Sequence, residues 1–242
     1  MYDSEMYGRT VISPFLPFLT NDIIEKEIID AYKNRIRSII VESGQAPLLK
    51  KLEAKYANGY TRTGITIAYP FGGMSTETKV MLAKDAMNLG IDEINFGTNI
   101  NAALSGDMET FKDDIKQVLD AVEGKVNIIP MAWVIKIPLA MIDKICNVFL
   151  ELGITSIKTS PGLHYGSMKV EHIEYINKHY GDKFTIEVSG RCRTRQLVED
   201  MTDAGASYYH LSQWRRICSH GLDYQYDYAK KQGSYCEYLE KL

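Results

Sequence analysis

Short β-branched apolar runs alternate along the chain with longer runs of helical period. Apolar positions repeating every three to four residues predict helices, and short apolar runs bounded by Gly, Pro, Asn or Ser predict strands. Eight strands are predicted, at 9–13, 38–42, 64–70, 91–96, 127–134, 154–158, 184–188 and 207–211. A helical segment follows each of the first seven, and a Tyr-rich helical tail closes the chain.

Three helix starts carry residues that favour a first turn. Asn21 and Ser75 are predicted N-caps, because their side chains can accept hydrogen bonds from backbone N–H groups that have no partner in the helix. Pro138 is predicted at the first helical position, where its missing N–H has no consequence. The helices are expected at 22–31, 46–56, 75–88, 107–123, from 138, at 170–180 and at 194–204.

Strict alternation of strands and helices requires parallel strands joined by right-handed crossovers. Eight such units in 242 residues match the size of an α/β protein with a (β/α)8 TIM barrel. They leave no room for a second domain, so we expect one barrel domain over residues 1–242. An open doubly wound sheet is the alternative. Such sheets usually have a glycine-rich first loop, and residues 14–18 are not glycine-rich.

The composition limits the partners of the protein. Apolar residues make up 45% and charged residues 24%, as in ordinary soluble globular proteins. With 28 basic and 31 acidic residues the net charge is −3, which gives no global signal for nucleic acid or an anionic membrane. The acidic N-terminus lacks the apolar segment of a signal peptide, and the most hydrophobic window, 126–142, is interrupted by Lys136 and two prolines. We expect a cytoplasmic protein whose four cysteines, which lack CxxC spacing, are free thiols.

Lys158 is the strongest candidate for chemistry. It ends an apolar run and precedes a loop rich in Ser, Pro and Gly, so it is expected at the end of a buried strand. Burying a lysine is costly unless it has a partner or a role. Schiff-base formation with a carbonyl substrate and phosphate binding are two such roles. A lysine that reaches solvent or pairs with an acid is the alternative.

In a TIM barrel the C-terminal ends of all strands converge on one site. The side chains expected there are Ser13, Glu42, Tyr69, Asn95, Met131 or Trp133, Lys158, Glu187 and Ser212 or Gln213. Because Lys158 and Glu187 end adjacent strands, we expect them within ion-pair distance.

The loops after strands seven and eight, 189–194 and 212–216, have the character of an anion site. Backbone N–H groups, a helix N-terminus and arginine side chains all favour an anion, and barrels often bind phosphate at these two loops. The alternative is that the arginines form a solvated rim. These arginines are Arg193, Arg195, Arg215 and Arg216.

Several stretches of the chain resemble the deoxyribose-phosphate aldolase family. They are 157–162, 189–194, 92–95 with 105–107, 69–72 and 75–80. The match runs in register from about residue 10 to residue 216, and Lys-Thr-Ser at 158–160 is its most specific part. The resemblance implies a class I aldolase in which Lys158 forms a Schiff base with an aldehyde. No cofactor is expected, and no metal, because HxH and HExxH pairings are absent from the sequence.

The chain departs from the family pattern at two positions that matter for the chemistry. The family has a second lysine on strand seven and an acid on strand four, where this chain has Glu187 and Asn95. A neighbouring carboxylate raises the pKa of a lysine, so Glu187 should make Lys158 a poorer nucleophile unless burial offsets this. Glu187 or Glu42 is the expected general acid/base.

We therefore predict a Schiff-base aldolase-like lyase acting on a small phosphorylated sugar or aldehyde. Its low activity on deoxyribose 5-phosphate and a different preferred substrate are part of this prediction. The predicted catalytic residues are Lys158, Glu187, Asn95 and Glu42, and the predicted phosphate-binding residues are Gly162, Gly190, Arg191 and Ser212. Two alternatives stay open: a sugar-phosphate isomerase or dehydratase without an imine, and a ligand-binding barrel that has lost catalysis. Barrels of this family often form dimers, so a homodimer is expected, and His164 is a further candidate for contact with substrate.

Overall fold

The computed structural model describes residues 3–15, 19–162 and 166–219. In these ranges eight parallel strands alternate with helices. The strands are β1 (Thr10–Ile12), β2 (Ser38–Glu42), β3 (Arg62–Ile67), β4 (Glu93–Phe96), β5 (Asn127–Pro130), β6 (Ser156–Lys158), β7 (Thr185–Val188) and β8 (Tyr208–His210). The helices are α1 (Asp3–Gly8), α2 (Asn21–Lys33), α3 (Ala46–Tyr56), α4 (Thr76–Asn88), α5 (Ile100–Leu104), α6 (Met108–Val122), α7 (Leu139–Glu151), α8 (Val170–Tyr180), α9 (Arg195–Asp203) and α10 (Trp214–Cys218).

The sheet closes into a barrel. Its strand order is β5-β4-β3-β2-β1-β8-β7-β6, and a parallel bridge between Met131 and Lys158 joins its two ends. At this seam the backbone N–H of Ala132 donates a hydrogen bond to the carbonyl of Lys158 at 2.8 Å. The predicted α/β class with a (β/α)8 TIM barrel is confirmed.

The core between strands and helices follows from the apolar period of the helices. In α6, Phe111, Ile115 and Val118 recur at helical spacing and are fully buried against the sheet. Phe111 packs on Phe149 of α7, with ring centroids 6.1 Å apart. This packing fixes the helices on the outside of the barrel and leaves its interior to the inward-facing side chains of the strands.

Strands β3 and β5 end several residues earlier than predicted, near residues with a left-handed backbone. Strand β3 ends at Ile67 and not at residue 70, since Ala68 has a φ of +56°. Strand β5 ends at Pro130, Met131 makes only an isolated bridge, and the φ of +56° at Trp133 prevents a strand from reaching residue 134. A left-handed residue cannot continue a strand. Helices α1, α5 and α10 were not predicted.

The predicted helix starts are correct at Ser75 and shifted at the other two positions. Ser75 Oγ accepts a hydrogen bond from the backbone N–H of Thr78 at 3.3 Å and caps α4. The cap position of α2 is Thr20, so Asn21 is instead its first helical residue. Pro138 occupies the cap position of α7 and not its first helical position. Each shift is one residue, within the usual spread of helix boundaries.

Some predictions concern residues outside the described ranges. His164, Cys236 and the Tyr-rich tail from residue 220 lie there. The other three cysteines, Cys146, Cys192 and Cys218, are free, as predicted, and they are buried. Among the described residues, no helix is both long enough and apolar enough to cross a bilayer.

Candidate active site

Lys158 lies inside the barrel at the C-terminal end of β6. It is 2% exposed, and its Nζ donates a hydrogen bond to Asn95 Oδ1 at 2.5 Å. Glu187 is its neighbour in the β6–β7 register, and Glu187 Oε1 lies 3.3 Å from Nζ. The predicted ion pair is therefore present, and the seam of the barrel brings Asn95 of β4 onto the same amine.

His210, which is absent from the predicted site, completes this cluster from β8. Its Nδ1 lies 2.6 Å from Lys158 Nζ and 3.1 Å from Glu187 Oε1. Its Nε2 is hydrogen-bonded to the hydroxyl of Ser13, which follows β1. Lys158, Asn95, Glu187, His210 and Ser13 together form what we call the lysine cluster.

Strand alternation could have found His210 from the sequence. Successive side chains of a strand point to opposite faces. Tyr209 points outward, because its hydroxyl bonds with that of Thr202 in α9 at 2.5 Å. His210 must therefore point inward, and it ends its strand at the mouth of the barrel.

A second ion pair lies beneath the lysine cluster. Glu93 precedes Asn95 by two positions on β4, is fully buried, and pairs with Arg37 at 3.0 Å. The guanidinium of Arg37 also lies over the ring of Tyr208, 4.4 Å from its centroid. Burial raises the pKa of Glu93, and the charge of Arg37 partly opposes that rise. This layer fills the interior below the reactive amine and excludes solvent from that side.

Burial shifts the pKa of the lysine. It lowers the pKa of Lys158, and the opposing charges of Glu187 and Glu93 do not cancel this effect. Burial therefore offsets the rise in the pKa of Lys158 that the neighbouring Glu187 carboxylate was expected to cause. An amine with a lowered pKa has more of its neutral, nucleophilic form at neutral pH.

The pKa values of two partners of the lysine are also shifted. Burial, together with the charge of Lys158, lowers the pKa of His210 to about 4. Burial alone would raise the pKa of Glu187, but the charge of Lys158 and the hydrogen bond with His210 outweigh it and lower that pKa to about 2. At neutral pH the cluster thus contains a carboxylate and a neutral imidazole.

Asn95 presents a free donor beside the amine. Its Oδ1 is used by Lys158, whereas its Nδ2 is buried and has no hydrogen-bond partner among the described residues. Buried polar groups without a partner are rare in folded proteins. The amide N–H therefore suits an oxygen of a bound ligand at the position next to Nζ.

Glu42 lies at the mouth but does not join the lysine cluster. The register places it beside Thr66 and, one strand further, Asn95. Its side chain is exposed, and its carboxylate accepts a hydrogen bond from the backbone N–H of Gln45. Partial desolvation raises its pKa. Within the described part of the chain, no hydrogen bond or ion pair joins Glu42 to Lys158.

Hydrogen bonds connect the loops after β6 and β7, which contain two of the predicted phosphate-binding residues. Ser160 Oγ donates to the carbonyl of Ser189 at 2.8 Å and accepts from the N–H of Gly162 at 3.1 Å. Gly162 has a φ of +85° and Gly190 a φ of +128°. A Cβ on Gly162 would lie 2.9 Å from Ser189 Oγ, and one on Gly190 would lie 3.3 Å from Ile135 Cδ1. Both positions therefore require glycine.

The arginines near these loops fall into two groups. Arg191 is exposed directly after Gly190. Arg195 instead pairs with Asp3 at 2.7 Å, and Arg215 pairs with Glu27 at 2.7 Å. Arg215 is 8% exposed, so it is neither an anion ligand nor part of a solvated rim, and it anchors α10 to α2. The fourth predicted residue, Ser212, is exposed after β8.

The sequence of this chain is similar to those of known aldolases. It is 31% identical over 191 residues to the deoxyribose-phosphate aldolase of Caldicellulosiruptor saccharolyticus, and the match covers 78% of this chain and 85% of that protein. The chain belongs to the deoxyribose-phosphate aldolase family. It is an enzyme of the aldehyde-lyase type, which cleaves or forms carbon–carbon bonds. No protein-family model matches the chain.

Solved structures show the same fold in two aldolases. The aldolase QR15 superposes with a TM-score of 0.81 at 18% identity, covering 94% of this chain and 99% of that one. The deoxyribose phosphate aldolase of Aeropyrum pernix, which is a tetramer, gives a TM-score of 0.79 at 15% identity, with coverage of 89% and 90%. At these identities the likeness shows that the fold is shared.

The low pKa of His210 predicts that stability falls as the pH falls from 6.5 towards 5. The pKa of His210 is about 4 in the folded protein, against an ordinary value of 6.5. Between these values the unfolded chain binds the proton first, so acidification favours unfolding. His210→Asn should remove about 2 kcal/mol of this loss by about pH 5. The free energy of unfolding, measured with denaturant at several pH values, tests this prediction. The control is His179→Ala, which replaces an exposed histidine of α8. Equal pH slopes in wild type and His210→Asn would contradict the shifted pKa.

Proposed function

We propose that this chain is a class I aldolase-like lyase that forms a Schiff base between Lys158 and a small phosphorylated sugar or aldehyde. The observation that carries the proposal is the buried amine of Lys158, whose pKa is lowered, at the barrel mouth. Membership of the deoxyribose-phosphate aldolase family supports a carbonyl substrate and carbon–carbon bond chemistry.

The chemistry follows from the amine. The neutral Nζ attacks the carbonyl carbon to give a carbinolamine, which loses water to form the iminium. The iminium then takes up the electron pair of the breaking carbon–carbon bond, so an enamine forms and an aldehyde leaves. The free amide N–H of Asn95 is placed to hold a substrate oxygen. Glu42, whose pKa is raised, is our candidate for the base that accepts the proton of the reacting hydroxyl. A general base works best when its pKa lies near the operating pH.

Gly162, Gly190, Arg191 and Ser212 are the proposed ligands of the substrate phosphate. The two glycine turns are held side by side by the hydrogen bonds of Ser160 and Ser189. The loop after β7 also leads into the N-terminus of α9. Backbone N–H groups and an exposed arginine at such a position favour an anion.

The predicted isomerase or dehydratase without an imine receives less support. In that mechanism Glu187 abstracts a proton from the substrate. Its pKa of about 2 makes it a weak base at neutral pH, and its contacts are an ion pair with Lys158 and a hydrogen bond with His210. A cytoplasmic location, a homodimer and a single domain over the whole chain stay part of the proposal.

Borohydride reduction tests the imine directly. The wild type, incubated with acetaldehyde, deoxyribose 5-phosphate and other small aldehydes and ketones, should give a reduced adduct that peptide mapping places on Lys158. Lys158→Met should give none, since a thioether cannot form an imine, and Lys125→Ala, which removes an exposed lysine, should react like the wild type. Intact-protein mass spectrometry is the measurement. An adduct that persists in Lys158→Met, or no wild-type adduct with any compound, would sink the proposal. Family-typical turnover of deoxyribose 5-phosphate would refute only the altered substrate preference.

Arg191→Ala tests the phosphate site separately. Loss of a charge-assisted hydrogen bond is expected to raise the half-saturating concentration of a phosphorylated substrate by about tenfold. The same variant should leave adduct formation with unphosphorylated acetaldehyde unchanged. Arg62→Ala, at the start of β3 on the opposite face of the barrel, is the control. An equal effect on both substrates, or on neither, would remove Arg191 from the site.

A further inference from the structure

We propose that His210 is the group that takes the proton from the Lys158 ammonium and returns it to the carbinolamine hydroxyl during imine formation. This inference rests on the proposed Schiff-base function and assigns its first proton transfer to a residue that the sequence did not indicate. His210 is in direct contact with the reacting nitrogen, since its Nδ1 lies 2.6 Å from Nζ.

The two ring nitrogens have the partners that a proton relay requires. Nδ1 faces a proton donor, the Lys158 ammonium, and an acceptor, Glu187 Oε1 at 3.1 Å. When unprotonated it accepts from Lys158, and when protonated it donates to Glu187. Nε2 faces the hydroxyl of Ser13, which fixes the orientation of the ring. The Ser13 hydroxyl can both donate and accept, so it tolerates either state of the ring.

The proton balance closes over the reaction. The Nζ–H bond of the ammonium breaks, an Nδ1–H bond forms, and the freed amine attacks the carbonyl carbon. His210 passes its proton to the oxygen of the addition intermediate and takes a proton from the Nζ of that intermediate. It then gives that proton to the carbinolamine hydroxyl, which leaves as water. The ammonium and the carbonyl have become an iminium and a water molecule, and His210 is neutral again.

The charges around His210 favour this transfer at the moment it occurs. Glu187 on β7 and Lys158 on β6 face the ring directly, the uncharged Ser13 and Asn95 belong to the same cluster, and Glu93 lies deeper on β4. The charge of Lys158 lowers the pKa of His210, together with burial. When the ammonium gives up its proton, that charge disappears while the carboxylate remains. The pair therefore titrates as one unit, and the net charge of the cluster does not change.

Glu187 keeps a different role in this scheme. It lies 3.3 Å from Nζ, farther than His210 Nδ1. Its carboxylate stabilises the imidazolium that forms beside it. Glu187 or Glu42 was the general acid/base expected from the sequence, and neither is needed for this first proton transfer.

Rapid mixing with acetaldehyde, followed by timed quenching with borohydride, measures the rate at which Lys158 is ethylated. His210→Ala should form the adduct about 10²–10⁴-fold more slowly, the usual contribution of a general acid/base, and added imidazole should restore part of the rate. His179→Ala, which replaces an exposed histidine of α8, should form the adduct at the wild-type rate.

His210→Asn separates proton transfer from positioning. Its amide oxygen can accept a hydrogen bond from Lys158 near the position of Nδ1, but an amide does not exchange protons as a base does. We expect it to be as slow as His210→Ala. A rate within about threefold of the wild type in either variant is far below a general acid/base contribution and would overturn the assignment.

The outcomes distinguish this inference from the function on which it rests. If the wild type forms an adduct and the His210 variants form it equally fast, only the role of His210 is wrong. If the wild type forms no adduct with acetaldehyde or deoxyribose 5-phosphate, the imine function fails and the inference fails with it.

Discussion

The site depends on the cost of burying one lysine. Lys158 is 2% exposed, and a charge in such surroundings must be paired, hydrogen-bonded or neutralised. All three solutions are present, because Glu187 pairs with it, Asn95 and His210 bond with it, and its pKa is lowered. These partners come from β4, β7 and β8, so only the closed barrel can bring them together. The seam at Met131 and Lys158 completes that closure.

The arrangement links the fold to reactivity. The ion pair of Arg37 and Glu93 fills the interior below the amine, which leaves the mouth as the side from which a carbonyl compound can approach. A lowered pKa gives the amine more of its neutral, nucleophilic form, and in the proposed mechanism neighbouring groups that exchange protons with it allow the imine to form at neutral pH. In that mechanism a carboxylate beside the lysine is compatible with imine formation, because burial lowers the pKa of the lysine and a histidine contacts both groups.

The fold and the centre of the site could be predicted because they depend on local patterns. The alternation of short and long apolar runs predicted all eight strands, and their order made Lys158 and Glu187 neighbours. The positive φ of Ala68 leaves no mark in the sequence, so the end of β3 was misplaced. The ion pair of Arg215 and Glu27 joins residues 188 positions apart, which no local pattern reveals. His210 was within reach, since alternation along β8 points it inward once Tyr209 is placed on the outer face.

The charge of Lys158 in the resting enzyme is the quantity on which this account depends. An NMR titration of protein carrying lysine labelled with 13C at Cε measures it, because the Cε resonance follows the protonation of Nζ. The account predicts one resonance, missing from Lys158→Met, that titrates below the ordinary lysine pKa of 10.5. It also predicts that Glu187→Gln moves this pKa lower still, because the opposing carboxylate is gone. A Lys158 resonance that titrates at or above 10.5 would show a stable ammonium and would contradict the central claim.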